Sequence, residues 1–253
     1  MFDQPYYYNY DLTYRLLKKN AEEIVPSFSL IDFYNKELRS RIKEIFPQRL
    51  SVLELGSGQG SLFNALPEEN AEVLGVDVSS TAIAEAQKSQ GSLGTNSISY
   101  LCADACELKL GKKFQFVFDA HTLHCLCYPE ERTKYLKSAF EHTADSGFFA
   151  LETMVAHKRM DFEEGYYFRE EEGVLYKEVD DEPFVGLRTF YGRRYMPLRS
   201  IRRSHEIEEE LFKAGFKIVF FMVLSGYKVI YDEKRVQPLG GDPDLLRVIC
   251  RKI

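Results

Sequence analysis

Between residues 50 and 155 the chain alternates short apolar runs with stretches of helical spacing, and several of the runs end on a glycine or an acid. Leu50–Leu55, Glu72–Asp77, Ile98–Ala103, Phe114–Ala120 and Gly147–Val155 read as strands, and Ser80–Ser89 and Pro129–Ala144 read as helices between them. Strands separated by helices must pair mostly in parallel, through right-handed crossovers, so the pattern predicts a doubly wound α/β sheet. In such a sheet the carboxyl ends of the strands face one way, and ligands bind in the crevice they leave.

The flanks are built differently. Asp11–Val25 places Leu12, Leu16, Leu17, Ala21, Ile24 and Val25 on one helical face before Pro26, and Asp32–Phe46 repeats the pattern before Pro47. After Val155 the alternation stops. Residues 157–182 hold ten acidic and four basic side chains, whereas residues 183–203 hold six arginines (Arg188, Arg193, Arg194, Arg199, Arg202 and Arg203) and no acid. Glu172-Gly173 lies between two aromatic, β-prone runs and predicts a hairpin, so 157–203 reads as a β-rich inserted flap. A helix over Ser204–Ala214, capped by Ser204 and ended by Gly215, then leads to strands at Phe216–Leu224 and Leu245–Lys252. Pro238-Leu239-Gly240-Gly241-Asp242-Pro243 forms their connection.

A chain of 253 residues with 45% hydrophobic content can bury a sizeable core, here filled by 19 Phe and 16 Tyr with no Trp. The net charge of −6 argues against nucleic-acid and acidic-membrane partners, which need a cationic surplus. The first residues lack the basic start and apolar run of a signal peptide, and no run of 18 apolar residues occurs. Five cysteines then read as reduced thiols in a cytoplasm.

The most informative segment is Glu54-Leu55-Gly56-Ser57-Gly58-Gln59-Gly60. Alternate glycines after a strand let the backbone turn sharply and approach a ligand closely. A dinucleotide fingerprint would need glycine or alanine at position 61, which is Ser61, so the spacing disfavours NAD and FAD. The segment resembles the first motif of class I S-adenosylmethionine-dependent methyltransferases. The likeness continues through acids at the ends of the next three strands, Asp77, Asp104 and Asp119, in the family's order. Each acid alone reads more simply as a helix cap or turn residue, and it is the ordered set that carries the resemblance.

That resemblance implies a seven-stranded sheet of order 3-2-1-4-5-7-6 with the last strand antiparallel, in one domain spanning 1–253. Its parts would be an N-terminal helical lid (1–47), a cofactor-binding half (48–156), the substrate flap (157–203) and a closing helix with a strand pair (204–253). It also implies S-adenosylmethionine as cofactor, with S-adenosylhomocysteine as product. Glu54, Gly56, Ser57, Gly58 and Gly60 would lie at the methionine end, Asp77 on the ribose, Val78 on the adenine face, and Asp104 with Ala105 on its edge. Asp119 and His121 would line the methyl side. Tyr14, in a run with Tyr6, Tyr7, Tyr8 and Tyr10, would belong to a closing lid, unless these rings simply dock an aromatic helix on the core.

His121 and His124 are the candidate general bases, although a strongly nucleophilic acceptor needs none. The spacing from His121 to Cys127 fits neither common zinc pattern, and no metal is expected. The arginines of the flap could grip a carboxylate or phosphate, or could pair with the acids just upstream. The expected activity is methyl transfer to a small-molecule acceptor by a monomer or homodimer. The alternatives are RNA or protein methylation and a catalytically silent binding module.

Overall fold

A computed structural model describes residues 5–19, 28–89, 91–156, 168–171, 173–179, 183–225 and 244–253. Twelve strands are present among them: β1 Leu50–Leu55, β2 Ala71–Asp77, β3 Gly91–Leu93, β4 Asn96–Cys102, β5 Phe114–Ala120, β6 Thr143–Val155, β7 Phe168–Glu171, β8 Val174–Glu178, β9 Arg188–Phe190, β10 Arg193–Ser200, β11 Lys217–Leu224 and β12 Asp244–Arg251. The α-helices are α1 Asn9–Lys19, α2 Phe28–Phe33, α3 Arg39–Ile45, α4 Ser80–Ala86, α5 Pro129–His142 and α6 Ser204–Lys213.

The main sheet runs β11-β12-β6-β5-β1-β2-β4-β3. Without β3, its seven strands numbered along the chain fall in the order 3-2-1-4-5-7-6, as expected. The pairs of β1 with β2 and β5, β2 with β4, and β5 with β6 are parallel, whereas β12 is antiparallel to both β6 and β11. The additional strand, β3, is a three-residue hairpin partner of β4 across Gly94 (φ +60°) and carries too little pattern to be read in advance.

Residue alternation along the strands separates two cores. Leu53, Leu55, Val117, Phe149, Leu151 and Val248 face α5 and α6, while Val52, Val73, Phe116, Phe118 and Ala150 face α2, α3 and α4. The stretch 28–45 is one bent helix, α2 and α3 being joined by a π-helical turn at Tyr34–Leu38. Tyr34 is fully buried there, its hydroxyl bonded to Glu69. The expected lid over 1–47 is therefore divided: α1 arches over the strand ends, and 28–45 lies against a face of the sheet. The second half of the first predicted helix, 20–25, falls outside the described residues, as does the 238–243 connection.

The alternation breaks after β6 because the chain leaves the sheet. β7-β8-β10-β9 form a separate antiparallel sheet whose first hairpin turns at Gly173 (φ +76°). Val174, Tyr176 and Tyr195 join the buried core that also holds Tyr6 and Tyr7, and the Tyr176 hydroxyl lies 3.4 Å from that of Tyr128, whose ring meets Tyr6 edge-on. The chain then rejoins the main sheet beside β6, where the Ala156 N–H donates to Arg202 O at 2.9 Å. One cap differs from expectation. Arg203, not Ser204, occupies the N-cap of α6, and Glu206 reaches back to accept its N–H at 2.8 Å. Among the described residues no helix is long and apolar enough to cross a membrane.

The loop that follows β5 is held from below by Arg132 of α5. This side chain is 1% exposed, forks onto Glu210 of α6 (2.8 and 2.5 Å) and donates to Leu123 O at 2.7 Å. Removing it strands a carboxylate and two carbonyls together. Arg132→Ala is expected to lower the unfolding free energy by about 2–4 kcal/mol in urea titrations.

Candidate active site

The parallel register brings the strand ends to one edge. Leu55 lies beside both Val76 and Asp119, and Asp77 lies beside Cys102, so the turns after β1, β2, β4 and β5 converge. They enclose a cleft of about 610 Å³, with α1 and β10 closing its far side.

Each strand-end acid first satisfies the backbone of a turn. Glu54, buried, accepts from the Leu62 N–H (3.0 Å) and the Ser61 hydroxyl, which bends the chain back after Gly60. Asp77 takes the Gly58 N–H at 2.9 Å and the Ser79 N–H at 2.8 Å, tying the glycine turn to the start of α4. Asp104 accepts from the Cys106 N–H and the Tyr7 hydroxyl, both at 2.8 Å. Burial pushes the carboxyl of Glu54 up to about 7, hydrogen bonds from Ser61 and Leu62 offsetting part of the effect. Burial likewise raises Asp77 against the pull of the Ser79 and Gly58 amides.

The glycines are required by what surrounds them. Gly56 (φ +76°) lies against Thr122, and a Cβ there would overlap the threonine hydroxyl; Gly58 (φ +54°) would place a Cβ 2.8 Å from the Tyr14 hydroxyl. The space beside the turn thus admits a ligand only because no side chain fills it. Tyr14 comes from α1, whose seating depends on Asp11. That carboxylate accepts the Thr81 N–H and the Ser79 hydroxyl, each at 2.8 Å, at the start of α4.

Of the residues expected at the site, Glu54, Gly56, Ser57, Gly58, Gly60, Asp77, Val78, Asp104, Ala105, Tyr14, His121 and His124 all line this cleft. Asp119 does not. It is fully buried, accepting from the Thr122 and Leu123 amides at 2.8 and 3.0 Å and the Tyr135 hydroxyl at 2.7 Å, and so shapes the loop that carries both histidines.

The histidines differ. His124 is buried; its Nδ1 accepts the Met154 N–H at 3.4 Å, leaving the proton on Nε2. Burial, with the nearby charges of Arg199 and His121, holds it well below the usual histidine range, so it is neutral. His121 sits at φ +66°, about a third exposed, with Nε2 2.8 Å from Glu152 Oε1. Sequence reasoning missed Glu152 and, on the cleft wall, Met154; Tyr7 and Tyr10 of the expected lid and Arg199 of the flap arginines also line the cleft. A lone acid within the apolar run Phe148–Val155 was the available signal, since a buried carboxylate must find partners. Of the flap's arginines, Arg193 pairs with Glu178 of the upstream acidic run at 3.1 Å, while Arg199 lies over the Tyr10 ring at the cleft.

Residues 52–147 match the family model of the methyltransferase domain. The segment that carries the glycine turn and the strand-end acids is thus an S-adenosylmethionine-dependent methyltransferase domain. Three solved structures of similar fold accompany the match. A Methanosarcina mazei SAM-dependent methyltransferase is 18% identical over 81% of this chain and 93% of its own, with TM-score 0.57. DhpI in complex with SAH is 19% identical over 96% and 94%, with TM-score 0.55. The Burkholderia thailandensis 1,6-didemethyltoxoflavin-N1-methyltransferase, with its acceptor and S-adenosylhomocysteine bound, is 16% identical over 100% and 92%, with TM-score 0.56. At these identities the likeness is one of fold. None of the curated proteins compared with the methyltransferase matches it.

Two outcomes follow for the enzyme. Asp77→Ala should weaken S-adenosylhomocysteine by about 1.5–3 kcal/mol in calorimetric titration, the loss of charge-assisted bonds to a ligand's hydroxyls. Because Glu54 binds its proton more tightly folded than unfolded, its contribution to stability is greatest below pH 4.5 and is lost as pH rises towards 7. Glu54→Gln, a mimic of the protonated acid, should flatten that decline, by up to about 3 kcal/mol across the window, in melts followed from pH 4.5 to 7.5.

Proposed function

We propose that the enzyme methylates a small-molecule acceptor bound between the loop after β5 and β10, with the second sheet acting as the acceptor flap of the same domain. The observation that carries this reading is that the donor-side turns, the two histidines, Met154 and Arg199 line one cleft of about 610 Å³. That volume suits a cofactor with a modest acceptor, not a folded macromolecule. The cleft's outer wall is the chain's own: Tyr10 donates to Leu198 O at 2.8 Å and Asn9 bonds Val185 through both ends of its amide (2.8 and 2.9 Å), so α1 and the flap close together. The Burkholderia structure, with a small acceptor bound, supports the same class.

The residues fit the donor. The Gly56–Gly60 turn offers bare backbone for the methionine end, Asp77 keeps carboxylate lone pairs for ribose hydroxyls, and Val78, Asp104 and Ala105 bound the adenine. When bound, S-adenosylmethionine supplies an electrophilic methyl on a sulfonium. The chain aligns the acceptor, excludes water and takes up the proton. His121 is the base. Its Nε2 is committed to Glu152, so Nδ1 would be the atom that takes up the proton the acceptor releases. His124 donates from Nε2 and orients. Arg199 beside Tyr10 gives the acceptor end a cation, favouring substrates with a carboxylate, phosphate or enolate group.

Incubating the enzyme with methyl-labelled donor and pooled metabolites should label low-mass acceptors; label appearing only in RNA or protein would overturn the reading. With the acceptor so found, Arg199→Ala should raise KM about tenfold or more and leave the S-adenosylhomocysteine dissociation constant within about threefold.

A further inference from the structure

Behind His121 lies a buried ionic cluster that the fold alone does not require. Glu152, in the middle of β6 and 0% exposed, accepts from His121 Nε2 at 2.8 Å through Oε1, and from Arg247 Nε at 2.7 Å and the Ser29 hydroxyl at 2.8 Å through Oε2. Arg247, on the antiparallel β12, sends Nη1 to Asp32 at 3.0 Å and Nη2 to Ser29 O at 2.8 Å. Three separate pieces of chain, α2, β12 and the loop after β5, thus converge on one carboxylate of β6.

We propose that Glu152 is the positioning residue through which His121 acts, with Arg247 and Ser29 holding the carboxylate in place. The inference rests on the reading of His121 as base. Its physical ground is the expense of the arrangement: a buried ion pair contributes little net stability against an apolar replacement, so a cluster that ends on a cleft-lining ring points to the ring. The backbone agrees. A left-handed φ at a non-glycine residue is costly, and here it turns the imidazole towards β6. Asp119 fixes the next two residues through their amides. The ring is therefore held from its own loop and from its far nitrogen, and only Nδ1 is left for a substrate.

The charges facing His121 are consistent with proton uptake. Glu152 comes from β6 and Asp119 from β5; Arg247, from β12, divides itself between Glu152 and Asp32, the latter also carrying Lys36 at 2.7 Å. The neighbouring His124, with ring centroids 5.8 Å away, is kept neutral, partly by Arg199 of β10. Burial would raise Glu152, but the bonds from His121, Arg247 and Ser29 hold it below the usual carboxylate range, so it stays ionised. An ionised carboxylate on Nε2 favours the Nε2–H tautomer and stabilises the imidazolium formed during transfer.

The test combines a spectroscopic and a kinetic reading. In proton NMR one downfield, exchange-protected imidazole N–H signal of the unsubstituted enzyme should disappear in both His121→Asn and Glu152→Gln, while any from the buried His124 and His142 persist. Glu152→Asp, which keeps the counter-charge for Arg247 but withdraws the oxygen from His121, serves if the amide variant does not fold, and should lose the signal too. With the acceptor from the pooled screen, His121→Asn and Glu152→Gln should each lower kcat about tenfold or more, and the double variant should be no worse than His121→Asn, as for residues acting as a unit. S-adenosylhomocysteine should bind all of them within about threefold of the unsubstituted enzyme. A persistent signal in the Glu152 variants, or losses that multiply in the double variant, would overturn the positioning role alone. Full turnover by His121→Asn would remove the base reading and this one with it.

Discussion

Four strands end side by side at the top of the sheet, and each must hand its chain to a turn whose amides no longer have ladder partners. The acids at the strand ends meet this requirement. Glu54 takes Leu62, Asp77 takes Gly58 and Ser79, Asp104 takes Cys106, and Asp119 takes Thr122 and Leu123. An unpaired buried amide costs about as much as a lost hydrogen bond, so these carboxylates decide where the turns go. The cleft is the space left between turns fixed in this way. The cleft is thus built out of solutions to a backbone problem.

The same logic operates one layer out. Helix α1 packs Tyr10 on the main core and is held by polar contacts on two sides. Asp11 caps α4 beside the donor half, whereas Asn9 and Tyr10 grip the segment leading to β9 and the end of β10. Arg132 fixes the loop after β5 from the opposite face. The glycine turn, the loop after β5 and the second sheet are separate in the chain, and these few polar side chains set their distances from one another. That precision is what methyl transfer asks of a protein, because alignment contributes more than acid or base strength.

Much of the fold was legible because its signals are local. The period of two in the strands, the glycines at 56, 58 and 60, and the acids ending β1, β2 and β5 can each be read without knowing the rest, and the strand order came with the family resemblance. The parts that escaped depend on contacts distant in sequence. Nothing near Glu152 announces Arg247, 95 residues away, or Ser29, 123 residues away. Asp119 looked like a cleft residue because strand-end acids usually are; the hydroxyl of Tyr135 and the amides after it draw it inward. The arginines of 183–203 could not be sorted from composition. Only the fold places Arg199 at the cleft and Arg193 on Glu178.

The contact between Gly56 and Thr122 reaches further than local geometry. Thr122 donates to Leu55 O at 3.1 Å, and no side chain at position 56 could coexist with it. The donor turn and the loop bearing both histidines are thus a single interlocked unit, and neither can drift in evolution without the other. The β7–β10 sheet is joined to that unit through an aromatic seam and a few side-chain-to-backbone bonds, which constrain little of its own sequence. Descendants of such a chain can exchange the second sheet while inheriting the interlocked turns intact.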